Sequence, residues 1–135
     1  MVEISLPMRA FSVNRMSYRD ARFKTAEFKE WFSELCERLQ AFKELMDMGD
    51  DFKRDGGEFE IEIEVVYPFH VYYNQSKTIS AKTFDVTNVE KPIVDAIFRE
   101  TMGVDDRFLV KCVSSKRDGG AYAVNIKLER YMNGR

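Results

Sequence analysis

Between Thr83 and Leu109 the chain reads TFDVTNVEKPIVDAIFRETMGVDDRFL, and this stretch gathers the residue types that could do chemistry. Asp85 stands at its start. Asn88, Lys91 and Asp95 follow at steps of three and four, which sets them on one face of a helix. Past Gly103 comes the pair Asp105-Asp106. Carboxylates at both ends of a helix with a lysine between them suit a divalent metal beside a phosphate. Cleaving a phosphodiester requires charge to be stabilised on the attacking and leaving oxygens together. Carboxylate-bound magnesium ions roughly 3.5–4 Å apart do this, and a nearby ammonium balances the developing negative charge. Asp85, Lys91 and Asp106 supply those elements, with Asp105 and Asp95 in reserve. Spacing alone also fits an ordinary solvated helix flanked by aspartates.

These residues need elements to hold them. Val2 to Leu6 alternates with period two and ends at Pro7, a short strand. Thr25 is an N-cap candidate for one long helix running to about Met48. Its seam is Phe28, Phe32, Leu35, Leu39, Phe42 and Met46, widened by Trp31 and Leu45. That seam can pack on a sheet or against a second subunit. Gly49 is expected to end the helix, with DDFKRDGG as a charged turn. Phe59, Ile61, Ile63 and Val65 then alternate with Glu60, Glu62 and Glu64, a strand with one buried and one acidic face. Of these acids Glu64 is the one that could neighbour Asp85.

The site helix starts between Asp85 and Lys91. Thr87 and Glu90 have capping-box spacing, yet Pro92 conflicts with so early a start and implies a later or distorted first turn. Val89, Ile93, Ala96 and Ile97 form its buried face, and Gly103 ends it. A strand from Phe108 to Val113, a turn at Asp118-Gly119 and a returning strand from Ala121 to Tyr131 complete a predicted hairpin. The outcome is one α+β domain over residues 1–135: a mixed β-sheet with two main helices packed on it.

Composition narrows the function classes. Hydrophobic residues make up 44% and charged residues 33% of the 135, as in a soluble globular chain, and no apolar run is long enough to cross a bilayer. The opening MVEISLPMRAF has no continuous apolar core, so a cytoplasmic location is expected. Cys36 and Cys112 are expected to be two separate buried thiols, and the one histidine, His70, structural or superficial.

A net charge of −2 argues against a nucleic-acid partner only until its distribution is followed. Residues 1–29 carry six basic and three acidic side chains, whereas residues 30–66 carry four and twelve. Local positive surface attracts a polyanion even when the total is slightly negative. Arg9, Arg15 and Arg19 are interleaved with Phe11 and Tyr18, suiting phosphate contact and base stacking, or equally a loop packed down by its aromatics. Lys77 and Lys82 place further positive charge at the lip of the Asp85 site.

The run FDVTNVEKPIVDAI followed by GVDDRFL resembles the signature of the RusA family of Holliday junction resolvases: Asp-x-Asp-Asn, a lysine three residues on, Asp-Ala-Leu, and after a turn an Asp-Asp pair opening a strand. SLPMRAFSVNRMSY is similar to the family's first strand and its Asn-Arg loop. The matching runs cover about a third of the chain. The resemblance implies metal-binding roles for Asp85 and Asp106, a catalytic lysine in Lys91, supporting roles for Asn88 and Asp95, and DNA-backbone contact near Asn14 and Arg15. It implies a Mg2+-dependent homodimer that nicks four-way DNA junctions symmetrically in recombination and repair. Thr87 departs from the pattern. It stands where the family has its second aspartate, and its hydroxyl can coordinate a hard cation but brings no negative charge. Two other readings follow: a junction- or DNA-binding protein of the same fold that has lost catalysis, and an interaction protein without a nucleic-acid partner.

Overall fold

The computed structural model describes residues 1–11, 17–18 and 20–131, with backbone alone for 17–18 and 20–24. Asn14, Arg15 and Arg19 lie outside the described residues. The order is β1 (Val2–Leu6), β2 (Ser17–Tyr18), β3 (Asp20–Lys24), α1 (Ala26–Gln40), α2 (Lys43–Asp55), β4 (Phe59–Pro68), the single turn α3 (Phe69–Tyr72), α4 (Thr87–Asp95), β5 (Leu109–Gly119) and β6 (Ala123–Arg130). The architecture is α+β: a mixed four-stranded sheet of order β1-β6-β4-β5, covered on one face by helices, with β2 and β3 forming a separate two-stranded ribbon.

Period-two alternation builds the sheet as expected. Phe59, Ile61, Ile63 and Val65 are all at most 1% exposed, and their neighbours on β6, Val124, Ile126 and Leu128, are equally buried. Phe59 meets Phe98 edge-on at 5.3 Å and Phe52 at 5.3 Å, which seats the helices on this face. The opposite face carries Glu60, Glu62 and Glu64 and has cross-strand basic partners in register, Glu60 with Lys111 and Glu62 with Lys127.

The expected hairpin does not form. β5 pairs with β4 alone, in parallel, and β6 inserts antiparallel between β4 and β1. Asp118-Gly119 continues the parallel ladder opposite Tyr67 and Pro68 instead of turning it. Burial decides this: β6 brings three fully buried aliphatics and so takes a central position, while β5, with Val110 and Val113 exposed, takes the edge. Because β4 and β5 are parallel, α4 and its continuation form the crossover between them.

Thr25 caps α1 as expected, its hydroxyl accepting from Phe28 N at 3.1 Å. The long helix, however, breaks at Ala41-Phe42 into α1 and α2. Leu39 and Leu45 are both fully buried, yet on one continuous helix they would point about 120° apart. The break realigns them, leaves Met46 43% exposed, and moves the seam to Leu45 and Gly49. Gly49 therefore lies inside α2, where an added Cβ would stand 2.9 Å from the Met102 carbonyl oxygen. The helix ends only at Gly56, whose positive φ of 71° closes it.

The cysteines also differ from expectation. Both are free thiols, but Cys112 is exposed on edge strand β5 and Cys36 is half-buried. Burial, with Glu100 adding to it, pushes the Cys36 thiol up to about 11. His70 is exposed on α3, in agreement with a surface role. Among the described residues no helix is long and apolar enough to cross a membrane.

Candidate active site

α4 begins at Thr87, early in the expected window, with Val86 as a cap that makes no side-chain bond. Thr87 is thus the first helical residue, and its spacing to Glu90 does not become a capping box. Pro92 sits inside the helix, past the first turn. It has no N–H to donate to the Asn88 carbonyl, so the helix is irregular as its sequence requires. From Ala96 to Met102 it widens into a π-helix, which Gly103 closes in the left-handed conformation at φ 67°. Val89, Ile93, Ala96 and Ile97 are buried, leaving Lys91 exposed on the opposite face.

That exposed face carries the first cluster. Lys91 Nζ lies 2.8 Å from Asp95 Oδ1, one helical turn on, and 3.9 Å from Asp106 Oδ2, which arrives from the turn before β5. Asp95 is the most enclosed of the three, with its side chain 13% exposed. Asp106 opens a short 3-10 turn, Asp106–Phe108. Asp105 caps that turn, its Oδ1 accepting from Arg107 N at 2.8 Å, so it fixes the turn that carries its neighbour.

Asp85 is held separately. Asn88 N donates to its carbonyl at 2.9 Å, tying it to the first turn of α4. The residues before it are pinned from two strands. Lys116 on β5 donates to Thr83 Oγ1 at 3.0 Å and to the Phe84 carbonyl at 3.2 Å, and the Phe84 N–H donates to the Tyr67 hydroxyl at 3.1 Å. Thr83 is buried and its hydroxyl donates to the Ser80 carbonyl at 2.8 Å. The exposed Asp85 carboxylate thus projects from a fixed loop. It precedes Lys91 by six residues, about 9 Å along a helix axis.

The candidates are brought together unequally. Lys91, Asp95 and Asp106 are in contact; Asp85, Thr87 and Asn88 lie at the start of the same helix. Glu64 is not part of the group. It faces the open side of the sheet, where Asn125 Nδ2 donates to it at 2.9 Å and Arg117 Nε lies 3.1 Å away. These two partners, Asn125 first, hold its carboxyl below the usual carboxylate range. Lys77 is exposed at the tip of a turn, at φ 63°, and Lys82 and Arg9 are also exposed. Lys116 and Tyr67 were missed by sequence reasoning. Their only sequence signal is a lysine and a tyrosine within strand patterns, which says nothing about a loop elsewhere in the chain.

Among the described residues no three His, Cys, Asp or Glu side chains gather as a metal-binding group. The oxygens that could hold a metal are therefore few: Asp85, Asp106 and the remaining oxygen of Asp105. Magnesium fits such a set, because it keeps several waters and takes one or two carboxylates together with substrate phosphate oxygens. An ion that needs an all-protein oxygen cage does not.

Comparison with curated proteins finds no match. The family model described as Endodeoxyribonuclease RusA matches residues 11–129, a span that contains Asp85, Lys91, Asp95 and Asp106 and, of the four-stranded sheet, β4, β5 and all but the last residue of β6. With so much of its length matched, the chain belongs to the RusA endodeoxyribonuclease family, whose members are Holliday junction resolving endonucleases.

Proposed function

We propose that this chain is a magnesium-dependent, structure-selective endonuclease that nicks four-way DNA junctions. The observation that carries the reading is the contact of Lys91 with Asp106, within the span matched to the family. Asp85 and Asp106 would hold the metal, with Asp105 and the Thr87 hydroxyl beside them. The bound ion would polarise the scissile phosphate and lower the pKa of a coordinated water. Lys91 meets a phosphate oxygen and offsets charge on it, and Asp95 keeps the ammonium in place. Asn88 fixes the Asp85 backbone through its N–H. Arg9, Lys77 and Lys82, with Asn14, Arg15 and Arg19 in the segment before α1, contact the DNA backbone.

Two symmetric nicks require two sites related by a two-fold axis, so the working unit is a homodimer of single-domain chains. A cytoplasmic location fits a DNA substrate. The test is a synthetic four-way junction incubated with magnesium. Paired nicks are expected, with loss of cleavage in Asp85→Asn and Asp106→Asn while junction binding persists. Folded protein that leaves the junction intact across magnesium and manganese titrations would refute the assignment.

A second reading is favoured by one feature. With Thr87 in place of a carboxylate and no three-acid group among the described residues, the fold could serve junction binding without cleavage. Salt-sensitive binding without nicks, unchanged by Thr87→Asp, supports that alternative.

A further inference from the structure

Beside Asp85 lies a cavity of about 420 Å3 that the metal chemistry does not use. Its walls are aromatic. Phe11, Tyr67, Phe84 and Tyr122 all line it, and Arg9, Lys82 and Glu27 contribute the charged groups. We propose that this cavity seats one unstacked nucleotide of the DNA strand next to the phosphate at Asp85. The inference rests on the endonuclease reading and adds to it a base-holding site.

Three observations carry it. The walls are fixed before any ligand arrives. Tyr67 is buried, meets Tyr122 edge-on at 6.2 Å, and accepts a hydrogen bond from the Phe84 N–H. Phe11 is buried against Phe28 at 5.8 Å and Trp31 at 5.6 Å. A rigid aromatic lining suits a flat, polarisable base, because every nucleobase has a face that stacks on such rings. Tyr122 and Phe84, both half-buried, line the cavity.

The cations converge from distant parts of the chain. Arg9 follows β1, and its carbonyl accepts from Trp31 Nε1 at 2.6 Å. Lys82 precedes the site helix, and its N–H donates to Ser80 Oγ at 3.1 Å. Both backbones are anchored while both side chains are exposed. Among the described residues lining the cavity, one carboxylate stands against them, Glu27, on the first turn of α1. Two cations and one anion around an aromatic cavity favour an anionic aromatic ligand over a neutral or cationic one.

Position and size agree. Phe84 lines the cavity and is bonded directly to Asp85, so a base held there lies one residue along the chain from Asp85. The volume lies within the range of about 300–1,000 Å3 usual for small-molecule sites. An enzyme that grips one base out of the stack fixes the backbone beside it, and an unpaired position at a junction costs least to extrude.

The experiment is an abasic scan. Junctions carrying a single abasic nucleotide at successive positions around the nick are cleaved by wild-type protein and by Tyr122→Ala. One position is expected to slow the wild type by about tenfold, the loss of one stacked base. The same abasic junction should not slow Tyr122→Ala further, while Tyr122→Phe should retain the position's effect. If Tyr122→Ala fails to fold, Tyr122→Leu, which keeps bulk and removes the stacking ring, takes its place with the same expectation. A binding-only version uses Asp85→Asn with 2-aminopurine at that position, whose fluorescence should change on complex formation. A flat abasic scan, in protein that cleaves or binds the junction, overturns the pocket and leaves the endonuclease reading standing. Protein that neither binds nor cleaves overturns both.

Discussion

Lys116 donates to the carbonyl of Phe84 at 3.2 Å, one peptide bond upstream of Asp85. With the 3.0 Å bond to Thr83 Oγ1 it ties edge strand β5 to the loop that presents the carboxylate. The residue is half-buried, and its removal takes a charged donor from both acceptors. Lys116→Met is expected to cost about 1.5–3 kcal/mol, the scale of hydrogen bonds made by a charged donor, measured by denaturant unfolding. Junction cleavage should fall more than stability alone explains, because Asp85 loses its fixed approach. Lys116→Arg, which keeps a donor, should recover much of the rate. Equal rates in wild type and Lys116→Met would mean that the loop is held without Lys116.

Lys91 serves two carboxylates unequally, at 2.8 Å from Asp95 and 3.9 Å from Asp106. The near contact is an i,i+4 pair on a mostly exposed lysine and adds little to stability. Its use is positional. Lys91→Met should therefore unfold at nearly the wild-type temperature while cleavage drops about 100-fold or more, the scale of removing one preorganised charge at a reacting phosphate. Asp95→Asn should be milder and act through Lys91, so the double variant should be no slower than Lys91→Met. Additive losses would place Asp95 in an independent role.

Much of this was legible because it follows local periodicity. The alternation from Phe59 to Val65, the Thr25 cap and the Gly103 stop each depend on a handful of neighbouring residues. The helix break at Ala41-Phe42 was not legible, since the continuous seam through Met46 is locally as good as the one through Leu45. Only the sheet and the π-helix beneath decide between them. The placement of β6 was hidden for a related reason: a turn cue at Asp118-Gly119 is local, whereas the choice of β4 over β5 as partner is made by burial. At the candidate site, the residues that Lys91 meets, Asp95 and Asp106, come from one contiguous stretch. Lys116 was not, because its partners lie more than 30 residues away and no spacing rule links them.

Gly49 shows what the shifted seam demands. An ideal Cβ there would meet the Met102 carbonyl oxygen at 2.9 Å and its Cβ at 3.0 Å, both on the helix that carries the site. Alanine is the better helix former by about 1 kcal/mol, so propensity predicts that Gly49→Ala stabilises α2. The close approach predicts the opposite, and it should dominate, because overpacking a tight contact costs about 1–3 kcal/mol. A thermal melt decides the sign: the expected result is a lower midpoint.

Glu64 gives a pH dependence with a definite direction. Its folded carboxyl is held low, first by the Asn125 amide and then by Arg117. A depressed carboxylate contributes stability above its unfolded value of about 4.3, and that contribution disappears as pH falls through the lower folded value. With its side chain 37% exposed, solvent screening keeps the contribution small. Glu64→Gln should therefore be slightly less stable than wild type at pH 7, with the gap closing below about pH 4. Parallel unfolding curves at both pH values would remove the linkage.

Thr87 is the exposed first residue of α4, where the N–H groups of the helix end favour a negative charge. Thr87→Asp restores the family's acid at that position. Its effect on folding should be neutral or favourable, by about 0.3–1 kcal/mol from the helix dipole. Its effect on the site should be larger, because a further carboxylate joins the proposed set of Asp85, Asp106 and Asp105. Half-maximal cleavage should then need several-fold less magnesium, read from a metal titration at constant ionic strength. The same titration on Thr87→Val tests the hydroxyl. A higher magnesium requirement there means that Thr87 already contributes an oxygen, whereas an unchanged one confines the metal to the aspartates.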